Sequence, residues 1–194
     1  MGQLARQYPD LNVELDLTER LADPVAERLD VVIRIGEMAD STLIGTRIAL
    51  QTRVLCASPA YLAGAGTPQE LADIASHRLI DKLHGADLLC WRDVLGHPAR
   101  CSHTQPVFGC DDFEAMRQAA VEGLGIAYLP DWVAGPDIQA GLLNLICPEW
   151  STQPSASTGI YALRALRNPP ARVSIFMDSL RTYIGQPLIW SIRQ

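Results

Sequence analysis

Apolar positions in this chain follow two spacings that alternate along its length. In residues 110–130, CDDFEAMRQAAVEGLGIAYLP, they first recur at helical intervals. Phe113, Met116, Ala120 and Leu124 put one apolar stripe on a helix. Asp111 and Glu114 stand three apart ahead of it, the spacing of a capping box with Asp replacing the usual Ser or Thr. Gly123 and Gly125 stop the helix, where a left-handed residue costs glycine little. Residues 126–129 then read as a short buried strand, ended by Pro130. A helix start and a strand's carboxyl end are both places where α/β proteins hold ligands.

The same two spacings organise the rest. Residues 12–17 alternate, with Val13, Leu15 and Leu17 on one face, and predict a strand. Asp23-Pro24 caps and opens a short helix to about Leu29. Residues 31–36 form a buried strand that contains Arg34 and ends at Gly36. Together these predict a βαβ unit with parallel strands. Residues 46–57 read as one long extended stretch, broken by Ser58-Pro59. A short helix follows at 60–63, and Thr67-Pro68 opens another to about Ser76. Further strands are expected at 78–81, 88–94, 99–103, 106–109, 142–146 and 159–163, with short helical turns at 131–134 and 137–140. After Asn168-Pro169-Pro170, a stripe of Val173, Phe176, Met177, Leu180 and Ile184 predicts a helix closed by Gly185.

Strands alternating with helices argue for an α/β fold. Two breaks divide it: Ala57-Ser58-Pro59, and the Pro/Ser/Thr-rich residues 148–158. Residues 1–57 with 159–194 form one expected lobe, and residues 58–158 the other. A cleft crossed twice by the chain is a usual home for a small ligand.

Composition narrows the function. The chain has 194 residues, is 48% hydrophobic and 20% charged, and carries a net charge of −6. Direct nucleic-acid binding is disfavoured, because no phosphate-neutralising excess of Lys and Arg exists. The five cysteines are odd in number and form no CxxC, which fits a reducing compartment. The first residues lack an apolar signal region, and no apolar run approaches the roughly 18 residues of a membrane span. A soluble cytoplasmic protein is expected.

No nucleophile elbow, phosphate loop or zinc-protease motif is present. Gly123 and Gly125 begin like a dinucleotide fingerprint but lack the third glycine and follow a helix. His97, Cys101 and His103 are metal-capable, and Cys90 or Cys110 would have to complete a site; no metal or cofactor is expected. Cys110, just before a helix start, is read either as a small residue that fits or as a ligand-facing thiol. Asp111 and Asp112 already place negative charge there, so an anionic ligand needs a basic partner, and Arg34 is the candidate.

The sequence resembles the effector-binding domain of LysR-type bacterial transcriptional regulators. Five segments in order carry the resemblance: RQYPDLNVELDL, ERLDVVIRIG, TRIALQTRVLCASPAYLAGAGTPQELADIASHRLI, DDFEAMRQAAVEGLGIAYLP and GIYALRALRNPPARVSIFMDSL. The resemblance implies two Rossmann-like subdomains around a central cleft, as in type 2 periplasmic binding proteins. It implies a small organic effector, a carboxylate or an aromatic acid, and a homodimer that reaches DNA through a winged helix-turn-helix these residues do not contain. The family's first strand is also not found here. Matching positions assign the effector to Arg34, Gly36, Cys56, Ser58, Cys110, Asp111, Leu129 and Pro130. They assign the dimer interface to Phe113, Met116, Arg117 and Ala120. The alternatives are a solute-binding protein of the same fold and a thiol enzyme using Cys110.

Overall fold

In the computed structural model, residues 2–18, 20–37, 43–83, 91, 106–150 and 158–192 are described. The elements in chain order are α1 (Gly2–Gln7), β1 (Val32–Glu37), β2 (Ile44–Ala49), β3 (Arg53–Ala57), α2 (Pro59–Ala65), α3 (Leu71–Ile74) and β4 (Leu79–Lys82). Then follow β5 (Phe108–Cys110), α4 (Phe113–Val121), β6 (Ile126–Pro130), α5 (Asp131–Gln139), β7 (Asn144–Ile146), a 3-10 turn (Pro148–Trp150), β8 (Thr158–Arg164) and α6 (Ala171–Ile184). The chain divides into two units. Unit 1 is Met1–Leu50 with Ser155–Ile189, and unit 2 is Gln51–Pro154 with Trp190–Gln194.

Unit 1 holds an antiparallel sheet in the order β1-β8-β2. Val32 lies opposite Leu163 and Gly36 opposite Gly159. The stripe on α6 folds as its spacing implies, with Val173, Met177 and Ile184 buried. Val173 and Met177 pack on Ala162, with Val31, Ile48 and Phe176 around them.

Three expectations fail in this unit. Residues 12–17 form no strand, and Leu15 and Leu17 are 70% and 83% exposed. Alternation alone does not make a strand; its backbone groups need a neighbour. The helix expected from Asp23 is only a hydrogen-bonded turn, Leu29 N donating to Pro24 O at 3.0 Å. The turn is clamped by Arg20, which donates to both Glu27 carboxylate oxygens and holds that carboxyl down at about 2. Because residues 12–17 form no strand, the predicted parallel βαβ unit is absent among the described residues, and β1 pairs instead antiparallel with β8.

Unit 2 is a sheet in the order β5-β4-β6-β3-β7. β4 runs parallel to β5 and β6, while β3 runs antiparallel to β6 and β7. Both faces are covered, which is why its strands read as continuous apolar runs. Leu55, Leu79, Ile126, Tyr128 and Ile146 pack with Leu62 of α2 and Leu71 and Ile74 of α3. Val54, Cys56, Ile80, Ala127 and Leu129 pack with Met116, Ala119 and Ala120 of α4 and Val133 and Ala134 of α5.

The long stretch 46–57 is therefore two strands in two sheets, parted at residues 50–52. The expected lobe boundary after residue 57 moves to Leu50/Gln51, since β3 is hydrogen-bonded into the second sheet. Residues 190–194 also belong to unit 2, where Gln139 Nε2 donates to Ser191 O at 3.0 Å. The two turns expected at 131–140 are one helix that continues through Pro136. The strands expected at 88–94 and 99–103, and the group Cys90, His97, Cys101 and His103, lie outside the described residues, apart from Trp91. Trp91 is buried and donates its indole N–H to Ile80 O at 2.8 Å.

Candidate functional site

Strand direction decides which residues of unit 2 meet. The carboxyl ends of β4, β5 and β6 lie on one edge of the sheet together with the start of the antiparallel β3. Lys82 is in register with Cys110, and Arg53 with Pro130. Two helices begin at this edge. Asp112 caps α4, its Oδ1 accepting from Ala115 N at 2.7 Å, so the cap is one residue later than the spacing of Asp111 and Glu114 predicts. α5 begins directly after Pro130, and Asp131 fastens it to the chain entering the unit. Asp131 N donates to Thr52 O at 2.9 Å, and Thr52 Oγ1 donates back to Asp131 Oδ2 at 2.8 Å. Burial pushes the Asp131 carboxyl above its ordinary range, against these hydrogen bonds.

Two cations are buried here, Arg53 at 5% exposure and Lys82 at 6%. Both lie against the ring of Phe113. The Arg53 guanidinium carbon is 5.4 Å from its centroid and 6.0 Å from that of Tyr128. Lys82 Nζ is 4.6 Å from the Phe113 centroid and donates to Asp111 O at 2.6 Å. Taking a cation out of water costs several kcal/mol, and a desolvated cation–π contact returns about 2 kcal/mol. Trp132 meets Phe113 edge-on, with centroids 6.3 Å apart and planes at 83°. The buried Trp132 Nε1 and Gln51 Oε1 find no hydrogen-bond partner among the described residues.

Of the residues read as effector-binding, this edge gathers Cys110, Asp111, Leu129 and Pro130. Cys110 is half-buried, and its sulfur accepts from Asp112 N at 3.4 Å. Asp111 is exposed. Leu129 is fully buried among α4 and α5, and Pro130 ends β6. Cys56 and Ser58 lie at the other end of β3, three and five residue steps from Arg53, or about 10 and 16 Å away at ~3.3 Å each. The Cys56 thiol is fully buried and pushed up to about 12, chiefly by desolvation. Ser58 caps α2, its Oγ accepting from Tyr61 N at 3.3 Å. Arg34 and Gly36 stand in unit 1, opposite Tyr161 and Gly159. His77 hydrogen-bonds Tyr61 at the Ser58 end, 3.1 Å from its hydroxyl, so it is no partner for Cys110.

Of the residues read as a dimer interface, two are buried within the chain itself. Met116 is 1% exposed and Ala120 fully buried, both inside the unit 2 core. Phe113 is covered by Arg53, Lys82 and Trp132. Arg117 is tied to Glu114 and to Asp137. The outward face of α4 is Glu114, Gln118 and Glu122. The residues the sequence reading missed are Arg53 and Lys82. Their signal was position alone: each stands at the strand end that register brings to the start of α4.

The family model described as LysR substrate binding domain matches residues 1–185. The chain belongs to that family. This LysR substrate binding domain is 31% identical over 186 residues to HTH-type transcriptional regulator DmlR of Escherichia coli (strain K12), covering 94% of the chain and 59% of the relative. It is 29% identical to HTH-type transcriptional regulator CrgA of Neisseria meningitidis serogroup C (strain 8013), covering 94% of the chain and 60% of the relative. The chain thus spans about three fifths of the length of these relatives. The solved CrgA regulatory domain superposes with a TM-score of 0.76 at 27% identity, covering 95% of this chain and 89% of that one. The regulatory domain of AphB in Vibrio vulnificus gives 0.70 at 27% identity, covering 94% and 88%. The fold is the type 2 periplasmic-binding-protein-like fold of LysR regulatory domains. Among the described residues, no helix is long and apolar enough to cross a membrane.

Proposed function

We propose that this LysR domain is the effector-sensing part of a cytoplasmic transcriptional regulator, a binding module without catalysis. It takes a small organic acid and works in a homodimer whose DNA contact comes from a winged helix-turn-helix outside residues 1–194. The observation that carries the binding reading is the pair of buried cations on Phe113 at the carboxyl strand ends of unit 2. Such edges are where open α/β sheets bind ligands, and two helices, α4 and α5, begin at this one. The relatives are named as transcriptional regulators, which favours this reading over a solute-binding protein. A homodimer built on α4 uses the outward Glu114, Gln118 and Glu122, since Met116 and Ala120 are taken by the core.

The test is thermal-shift screening of the chain against small aliphatic acids, aromatic acids and neutral metabolites. A ligand at a hundred times its Kd adds about 2.7 kcal/mol of stability, roughly 5–10 °C for a chain of this size. At least one acid is expected to give such a shift. A folded chain that no compound stabilises would contradict the sensing role.

A further inference from the structure

Resting on the sensor reading above, we infer that the effector is a hydroxy acid, read through Gln51 Oε1 and Trp132 Nε1. The two hydrogen bonds between Thr52 and Asp131 carry the β3–β6 register one step past Arg53 and Pro130. The next residues out on the two segments are Gln51 and Trp132. Gln51 is 7% exposed, and its Oε1 finds no hydrogen-bond partner among the described residues. The buried Nε1 of Trp132 finds none among them either. An amide oxygen only accepts and an indole N–H only donates. A dry, unmet polar group destabilises a fold, and native chains keep few. Here two of opposite kind flank one clasp at the start of α5.

A ligand that meets both brings one acceptor and one donor. The carboxylate of the acid accepts from the indole N–H, and a hydroxyl donates to Gln51. A hydroxyl carries one hydrogen for the one waiting oxygen. An ammonium carries three and a full charge, which is costly to desolvate beside a neutral amide oxygen. Asp131 is engaged already, its two oxygens accepting from Thr52 Oγ1 at 2.8 Å and from Trp132 N at 2.9 Å.

Calorimetric titration of the 194-residue chain with three matched sets tests this. The sets are lactate, propionate and alanine; malate, succinate and aspartate; and mandelate, phenylacetate and phenylglycine. Within each, only a hydroxyl, a hydrogen or an amine changes. At least one hydroxy acid is expected to bind about tenfold or more tightly than both other members of its set. Gln51→Leu should bring that preference to within about twofold. Because it removes an unmet group, it should leave the thermal stability of the ligand-free chain intact. Trp132→Phe keeps a ring against Phe113. It should weaken the hydroxy acid and its deoxy counterpart alike, about fivefold or more, with their ratio unchanged. In the unaltered chain the Trp132 indole N–H resonance should move downfield on adding the hydroxy acid. Every deoxy acid binding as tightly as its hydroxy acid would overturn the inference. So would a preference that survives Gln51→Leu, or an unmoved Trp132 indole. If a compound of the wider screen stabilises the chain while no set shows a preference, this inference falls and the sensor reading stands. If nothing binds in either experiment, both fall.

Discussion

Met116→Ala is expected to destabilise unit 2 by about 2–5 kcal/mol and to leave the assembly state of the chain unchanged. Met116 is 1% exposed and packs with Ile80, Ala127 and Leu129 of the sheet. Removing its thioether leaves a cavity between α4 and two strands, both held in register by neighbours and slow to collapse into it. A methionine at a dimer contact would give the opposite signature, with unfolding little changed and self-association weakened. Urea unfolding followed by tryptophan fluorescence, beside sedimentation of the same variant, separates the two. A stable variant with weakened association would return Met116 to the interface that the family resemblance implied.

Gly125→Ala is the second large effect, expected at the upper end of about 1–3 kcal/mol or beyond. A Cβ at residue 125 would stand 2.3 Å from Arg78 O and 2.8 Å from its carbonyl carbon. Both are backbone atoms, and neither strand can yield, because Ile126 N donates to that same Arg78 O at 2.8 Å. Gly123 is the instructive control. Its φ is +80°, but a Cβ there would meet only side-chain atoms at ordinary contact distance, Ser58 Oγ at 3.4 Å and Tyr61 Cβ at 3.9 Å. Gly123→Ala should therefore cost only the left-handed strain, about 1 kcal/mol. Thermal unfolding of both variants checks the ranking. A Gly125→Ala no worse than Gly123→Ala would mean that β4 and β6 are not packed as described.

Those two glycines show what sequence pattern conveys. Both read as a helix stop, yet only Gly123 ends α4, and Gly125 answers to a neighbouring strand 47 positions away in register terms set by the fold. Local signals succeeded where the structure is local. The α4 stripe, the Ser58-Pro59 helix start and the α6 spacing all fold as their residues imply. They failed where a partner decides. Residues 12–17 have the alternation of a strand but no strand beside them, and residues 46–57 are one extended run shared between two sheets.

The candidate site divides on the same line. Cys110, Asp111 and Pro130 were legible because a helix start and a strand end announce themselves in sequence. Cys56 and Ser58 were carried over from the family's first crossover, and the direction of β3 puts them at the other edge of the sheet. Arg34 was chosen because a cation in an apolar strand is conspicuous. Arg53 has the same description, and only its register with Pro130 distinguishes it. Lys82 ends a short strand among polar neighbours, and nothing local shows that it is buried on Phe113.

The most direct measurement is an amide chemical-shift map of the chain with and without the acid that stabilises it most. The largest changes are expected at Arg53, Lys82, Asp111, Asp112, Phe113 and Trp132. Changes gathered instead at Ser58, Tyr61 and Gly123, with the Arg53–Lys82 edge unmoved, would contradict a binding site at the carboxyl strand ends of unit 2.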